Sequence, residues 1–486
     1  MKLRAIFALT LPLVAAGCAG SGLTGTGDQR AIAPGTAQQA AQQHQQVIQE
    51  FGGVETGNRG AYVNSVGARV AAQSGVQAGG FRFSALNSPV MNAFAVPGGY
   101  VYITRQLLGL MNSEAELASV LGHEVGHITA DHSAQRQNRG LLSQLGALLV
   151  GVVTGSGDLA NLAGQVSQGM FLQYSRGQEL EADDLGIRYM TAAGYDPLQS
   201  PAMLASLGAW SEMEPRFSGV EGQQRSTPSW ARTHPLSAER VTRATQRAQA
   251  TGRAGQGIVN REQHLAALNG MIFDDDPAQG VIEGREFLHP DLRLAFTIPQ
   301  GFATQNGVRA VSIVGNSGQA QFSTGPYNGN LGTYIGQVFQ ALIGQQAQVQ
   351  ITQPRSTNVN GIPAAYSTAR VALQQGAVDV TVFAYEMASN RAYHFVTVTP
   401  AGSGLGPFSP MVQSLRRLSA QEAAAVRPRV IQTVTVGAGD TVQSLARRMA
   451  YSSYQVERFR ILNGLGTNDA LQRGQRVKLV VYGSRS

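Results

Sequence analysis

His123, Glu124 and His127 stand in the run His123-Glu124-Val125-Gly126-His127, a spacing of residue types that can hold a metal ion and use it. On a helix, positions four apart differ by roughly 40° around the axis, so both imidazoles face one way. Glu124 is offset from them and can reach a water on the shared ion. Neutral imidazoles suit Zn2+, one ion per chain, which lowers the pKa of a bound water to about 7. Glu124 would then serve as general base while that water attacks a carbonyl. The chain holds eight histidines, so a chance occurrence of the motif is improbable.

Such a site needs a third protein ligand. His132 lies five residues past His127, roughly 140° further round a continued helix, so it reads as structural. It also lacks the Gly-containing spacing of the three-histidine zinc motifs. Glu179 is the better candidate: Glu179 and Asp183 stand four apart in Gln178-Glu179-Leu180-Glu181-Ala182-Asp183. Glu179 can ligate while Asp183 orients a ligand histidine from behind. Glu181 points elsewhere and is the weaker choice.

These side chains require positioned elements. Ser113, with Glu116 three residues on, predicts a capping box at the start of the histidine-bearing helix. Leu117, Val120, Leu121 and Ile128 form its buried stripe. A second helix is expected over 178–193, ended by Gly194 with Pro197 beyond. Upstream, helices are expected over 38–50 and along Tyr62, Val66 and Val70, and strands over 81–86 and 100–103. The run 141–153 is apolar but too short to span a bilayer. A domain boundary is expected near 275–284. Residues 284–419 then alternate as in a sheet, with helices over 334–343 and 410–418, giving an α+β domain of unknown role.

At the start, Lys2 and Arg4 precede an apolar stretch and the small residues that lead to Cys18, the only cysteine. Residues 1–17 resemble a bacterial lipoprotein signal, with Cys18 lipidated and 18–44 a linker. Ala19 after the cysteine favours the outer membrane of a Gram-negative cell. The formal charge of +7 drops to +5 without Lys2 and Arg4. From Gln421 onward ten basic residues face four acidic ones, so the excess of +6 sits at the end of the chain. A polyanion partner suits that end; nucleic acid does not suit an exported protein.

Asn92-Ala93-Phe94, Pro97-Gly98-Gly99, the His123 motif, Ser175-Arg176, Glu179 to Asp183, Gly194-Tyr195-Asp196-Pro197 and Thr233-His234-Pro235 stand in order. Together they resemble the M48 peptidases over about residues 45 to 250. The resemblance implies a mainly α gluzincin domain with a small sheet, over 45–275. It implies His123, His127 and Glu179 as zinc ligands and Glu124 as base. It also gives His234 a role: stabilising the tetrahedral intermediate, or capping the zinc at rest. Asn92 to Val96 would form an edge strand that pairs with an extended substrate, with Asn92, Ala93 and Phe94 as the substrate-binding residues. Residues 432–482, with Gly439-Asp440-Thr441, Asn463-Gly464-Leu465 and Leu471 to Gln475, resemble a small βααβ LysM module, a peptidoglycan binder.

The expected function is a zinc endopeptidase acting on unfolded or misassembled envelope proteins in the periplasm, held at the outer membrane and against peptidoglycan. The rival is an envelope chaperone or wall-binding protein with a capped zinc site. A third reading, a peptidoglycan amidase or endopeptidase, follows from the LysM-like tail.

Overall fold

A computed structural model of the chain describes residues 23–24, 30–77, 79–132, 174–217, 219, 230, 233–235, 238–343, 350–373 and 376–485. The expected signal 1–17, Cys18 and the apolar run 141–153 lie outside the described residues. Among the described residues, no helix is long and apolar enough to cross a membrane.

The first half is helical around a small sheet. Helices α1 (Pro34–Glu50) and α2 (Gly57–Ala71) lead into strands β1 (Arg82–Leu86), β2 (Ala93–Val96) and β3 (Tyr100–Thr104). Strand β3 lies in the middle, parallel to β1 and antiparallel to β2. Residues 34–44, expected within the linker, are the first turns of α1. Ala40 and Val47 are buried, and His44 bonds the Tyr102 hydroxyl, which gives the segment a docking face.

Then follow α3 (Arg105–Leu110), α4 (Glu114–Thr129), α5 (Arg176–Ala192), α6 (Gln199–Phe217), α7 (Ala238–Ala250), α8 (Arg261–Leu268) and β4 (Ile272–Phe273). Helix α4, which bears the histidines, is buried along its whole length. Its N-cap is Ser113, whose Oγ accepts from Glu116 N at 3.1 Å. Glu116 reciprocates one residue earlier than a capping box requires, accepting from Asn112 N at 2.8 Å. Helix α5 carries a complete box instead, between Ser175 and Gln178.

Helices α4 and α5 cross where both lack bulk. A Cβ on Gly186 would stand 2.8 Å from His123 N, and one on Gly126 would stand 3.0 Å from Ala182 O. Interaxial distance follows the side chains at the contact. Glycine at both faces lets α5 bring its carboxylates within reach of the α4 imidazoles.

The middle block begins with β5 (Val281–Glu283), β6 (Glu286–His289), β7 (Leu294–Thr297), β8 (Ala303–Asn306), β9 (Ala310–Gly315) and β10 (Gly318–Gly325). After helix α9 (Leu331–Ile343) come β11 (Arg355–Val359), β12 (Ile362–Leu373), β13 (Gly376–Ala388) and β14 (Arg391–Pro400). Seven strands form one antiparallel sheet in the order β8-β9-β10-β14-β13-β12-β11. Side chains alternate across it with period two. On β13, Val380, Val382 and Ala384 pack on Tyr334 and Phe339 of α9. Phe383 and Tyr385 pack on the opposite face with Phe287 of β6 and Phe296 of β7.

The last segment holds strand β15 (Arg429–Thr435), helices α10 (Val442–Ala446) and α11 (Gln455–Leu462), and strand β16 (Arg476–Tyr482). Its β–α–α–β order agrees with the sequence, but it is not strung on as a separate bead. Strand β15 pairs with β16 and also with β4, so the middle block is inserted between two strands of one sheet. Ile431, Leu445, Phe459 and Leu479 share a single core with Leu107, Leu110 and Phe273 of the helical half. Lys478 is fully buried, and its ammonium donates to the carbonyls of Gly109 and Leu110 at 2.8 and 3.0 Å. Those carbonyls close α3, where the helix dipole favours a cation, while burial holds the Lys478 pKa well below its ordinary value.

Two buried histidines, His264 and His394, and the half-buried His289 should make the fold acid-sensitive. His264 bonds the Tyr62 hydroxyl and the Met111 carbonyl, and burial, with Lys478 nearby, pushes its pKa down to about 3. Burial pushes His289 and His394 down to about 4. The ordinary value is 6.5. Between these limits the unfolded chain takes up protons that the native chain refuses, so stability falls as pH drops. Unfolding free energies from urea titrations should decline from pH 7 to pH 4, by several kcal/mol in order of magnitude. His264→Gln should flatten that slope; an unchanged slope would locate the acid sensitivity elsewhere.

Candidate metal centre

Helix α4 supplies His123, Glu124 and His127, helix α5 supplies Glu179 and Asp183, and the segment before α7 supplies His234. One donor atom each from His123, His127, Glu179 and His234 falls within a sphere where all lie within 4.8 Å of one another. His123 Nε2 and His127 Nε2 face each other at 3.0 Å, and Glu179 Oε1 lies 3.4 Å from His127 Nε2. His234 Nδ1 stands 3.1 Å from Glu179 Oε1 and 3.4 Å from His123 Nε2. All four side chains are buried.

The electrostatics fit a divalent cation. Glu124, Glu179 and Asp183 bring three buried carboxyl groups against the single guanidinium of Arg240. Burial alone would raise the Glu179 pKa, but His234, His127 and His123 around it hold it well below the ordinary range, so it stays a carboxylate. Burial pushes His127 well below its ordinary value and keeps it neutral. Burial also opposes charge on His123, yet the hydrogen bond to Asp183 and the nearby Glu179 hold its pKa above the ordinary value. The pocket thus draws positive charge to the point where the imidazole nitrogens meet. Hard-to-borderline cations with nitrogen and oxygen ligands fill such sites.

Asp183 is placed behind His123, with Oδ1 2.9 Å from Nδ1. Burial would raise its pKa, but the Arg240 guanidinium and His123 bring it down to about 2. Arg240 escaped the sequence reading. Its Nε and Nη2 donate to the two Asp183 oxygens at 2.8 Å each, and Nη1 lies 2.6 Å from Glu179 Oε2. Nη1 also donates to Pro235 O at 3.1 Å, tying down the segment that carries His234. The available signal was indirect: a buried Glu179–Asp183 pair needs a cation, and Arg240 follows His234 by six residues.

A strand lies where the sequence led to the expectation of an edge, from Ala93 to Val96. Strand β2 is an edge of its sheet among the described residues. The Phe94 ring is turned inward against Phe51 and Tyr102, and Asn92 Oδ1 accepts from the Thr233 hydroxyl at 3.3 Å. These side chains support the strand, and its backbone is what the edge offers. The Ala93 carbonyl lies 3.3 Å from His234 Nε2. Trp230 stacks on the His234 ring with centroids 4.4 Å apart, and Tyr174 stacks on His127 at 3.5 Å. Neither aromatic was singled out from the sequence, because nothing in their spacing ties them to the motif.

Residues 58–248 match the family model described as peptidase family M48. That span carries the M48 peptidase signature. The matched span holds every residue of the centre, from the α4 histidines to Arg240. Similar proteins include the beta-barrel assembly-enhancing protease of Yersinia pestis, 31% identical over 196 residues, which are 38% of this chain and 38% of that protein. The Escherichia coli O157:H7 protein of the same name is 31% identical over 197 residues, again 38% of each. The mitochondrial metalloendopeptidase OMA1 of Schizosaccharomyces pombe is 32% identical over 185 residues, 37% of this chain and 50% of that one. The chain therefore spans half or less of the length of these relatives.

Proposed function

We propose that this chain is a zinc-dependent endopeptidase that cleaves unfolded or misassembled proteins of the bacterial cell envelope. The observation that carries the reading is Glu124, buried beside a buried His123–His127–Glu179–His234 donor set next to a strand that is an edge among the described residues. His123, His127 and Glu179 would hold the ion. Zinc, when bound there, supplies a Lewis acid for the scissile carbonyl and makes water a usable nucleophile. The remaining work belongs to the chain. The edge of β2 aligns an extended peptide by backbone pairing. Glu124 takes the proton from the attacking water and passes it to the leaving amine. Asp183 keeps the His123 ring fixed with its Nε2 turned toward the ion.

His234 is the resting cap in this reading. It stands among the metal donors and also occupies the Ala93 carbonyl, where a substrate strand would pair. The same geometry favours a second reading: a closed four-ligand site of the structural kind, in an envelope chaperone or wall-binding protein. Zinc-loaded protein should cleave unfolded casein, lose activity on chelation and regain it with added zinc, and His234→Ala should cleave faster. If wild type and His234→Ala both bind zinc and neither cuts casein, the second reading stands. Cleavage of wall fragments with casein spared would instead mark a peptidoglycan hydrolase.

The relatives' names and the residues around Cys18 support a periplasmic chain anchored by lipid at the outer membrane. The β–α–α–β tail and its basic excess support contact with peptidoglycan through residues 432–482. Fractionation of Cys18→Ala and retention on insoluble peptidoglycan test these two parts, and a fully membrane-bound variant or an unretained protein would remove them.

A further inference from the structure

His132 reads as structural only if α4 continues as far as His132. It does not. The helix ends at Thr129, Ala130 caps it, and Asp131 turns into the left-handed region with φ 57°. His132 N then donates to His127 O at 3.0 Å, and Asp131 N donates to Ile128 O at 3.0 Å. This pair of bonds is a Schellman turn, which folds the residue after the left-handed one back over the third helical residue from the end. In most such turns that contact is apolar. Here it joins two imidazoles, with His127 Nδ1 and His132 Nδ1 3.0 Å apart.

Two ring nitrogens at that distance share one proton. His127 faces the metal donors with Nε2, 3.0 Å from His123 Nε2 and 3.4 Å from Glu179 Oε1. A neutral imidazole that gives its Nε2 lone pair to a cation carries its proton on Nδ1. His127 Nδ1 therefore donates, and His132 Nδ1 must accept. His132 then holds its own proton on Nε2, which points at Glu181 Oε2 3.3 Å away. The His132 side chain is 2% exposed and Glu181 is 61% exposed, so the chain of bonds runs from solvent inward to the ligand. It matches the role of Asp183 behind His123, with a neutral partner in place of a carboxylate.

We propose that His132, delivered by the turn at the end of α4 and backed by Glu181, is the positioning residue that fixes the tautomer and ring orientation of His127 for metal binding. The proposal rests on the metal-centre reading above. Loss of a partner behind a ligand histidine typically weakens metal affinity by about 10–100-fold. An acceptor at the Nδ1 position is the requirement, which an asparagine oxygen can meet and a leucine cannot. An exposed carboxylate contributes little, so Glu181 matters less.

The test is the Zn2+ dissociation constant of the full chain, by competition with a chromophoric chelator, with Co2+ absorption as a second readout. Wild type should bind one ion. His132→Leu should bind about 10–100-fold more weakly with altered Co2+ bands. His132→Asn should stay within about threefold of wild type, as should Glu181→Gln. Thermal unfolding of the metal-free variants separates a folding defect from a loss of affinity. His132→Leu binding as tightly as wild type overturns the proposal. So does His132→Asn binding as weakly as His132→Leu, since His132 would then act by filling space. A wild type that takes up no zinc overturns the metal-centre reading itself, a different outcome from either.

Discussion

Glu124→Gln should lower cleavage of unfolded casein by roughly 10²–10⁴-fold while leaving zinc bound. Glutamine has the shape of glutamate and cannot accept the proton of an attacking water. The Glu124 side chain is fully buried, with Oε1 3.6 Å from His234 Nε2, and it lies outside the group of metal donors. Its substitution therefore removes a proton acceptor without removing a ligand. The informative measurement pairs turnover with metal content. Activity lost with zinc retained identifies Glu124 as the base. Undiminished activity would take the proton transfer away from Glu124. Activity and zinc lost together would mean that the substitution had disturbed the centre.

Arg240→Met should destabilise the metal-free protein by about 3–5 kcal/mol, the range for removing one partner of a buried charge cluster. Arg240 is 3% exposed and meets Asp183 with two hydrogen bonds and Glu179 with a contact of 2.6 Å. Methionine would fill much of the volume but leave both carboxylates facing each other without a cation. The Pro235 carbonyl would also lose its donor, freeing the segment that carries His234. Arg240→Lys should recover only part, because a single ammonium cannot reach both carboxylates in the forked geometry. Zinc should restore more stability to Arg240→Met than it adds to wild type, since the ion supplies positive charge beside Glu179. Guanidinium unfolding with and without zinc reads both effects. An apo protein as stable as wild type would show that water or rearrangement satisfies the two carboxylates without Arg240.

Much of the centre was readable because it is local. The four-residue interval that sets His123 over His127, and Glu179 over Asp183, is a property of the α-helix and needs no knowledge of the fold. Caps are local too: Ser113 accepts the bond expected of it. Strand alternation in the middle block is equally local, and the period-two pattern carries over to the two faces of β13.

What escaped the sequence depends on where separate segments meet. His132 was misplaced because a helix end with aspartate at the left-handed position carries no glycine signal, and continuing the helix sends the ring the wrong way. Arg240, Trp230 and Tyr174 join the centre only when α5, α7 and the segments between them close over α4. The tail read as an independent module because its pattern is self-contained, yet its apolar face is buried against α3 and β4. Composition and periodicity determined which residues could bind an ion and which helix would present them. Long-range packing decided which charges stand beside the donor set, that His132 lies behind His127, and that the last segment belongs to the same core. The physical reason is that a helix repeats by its own geometry, whereas a buried charge finds its partner across the fold.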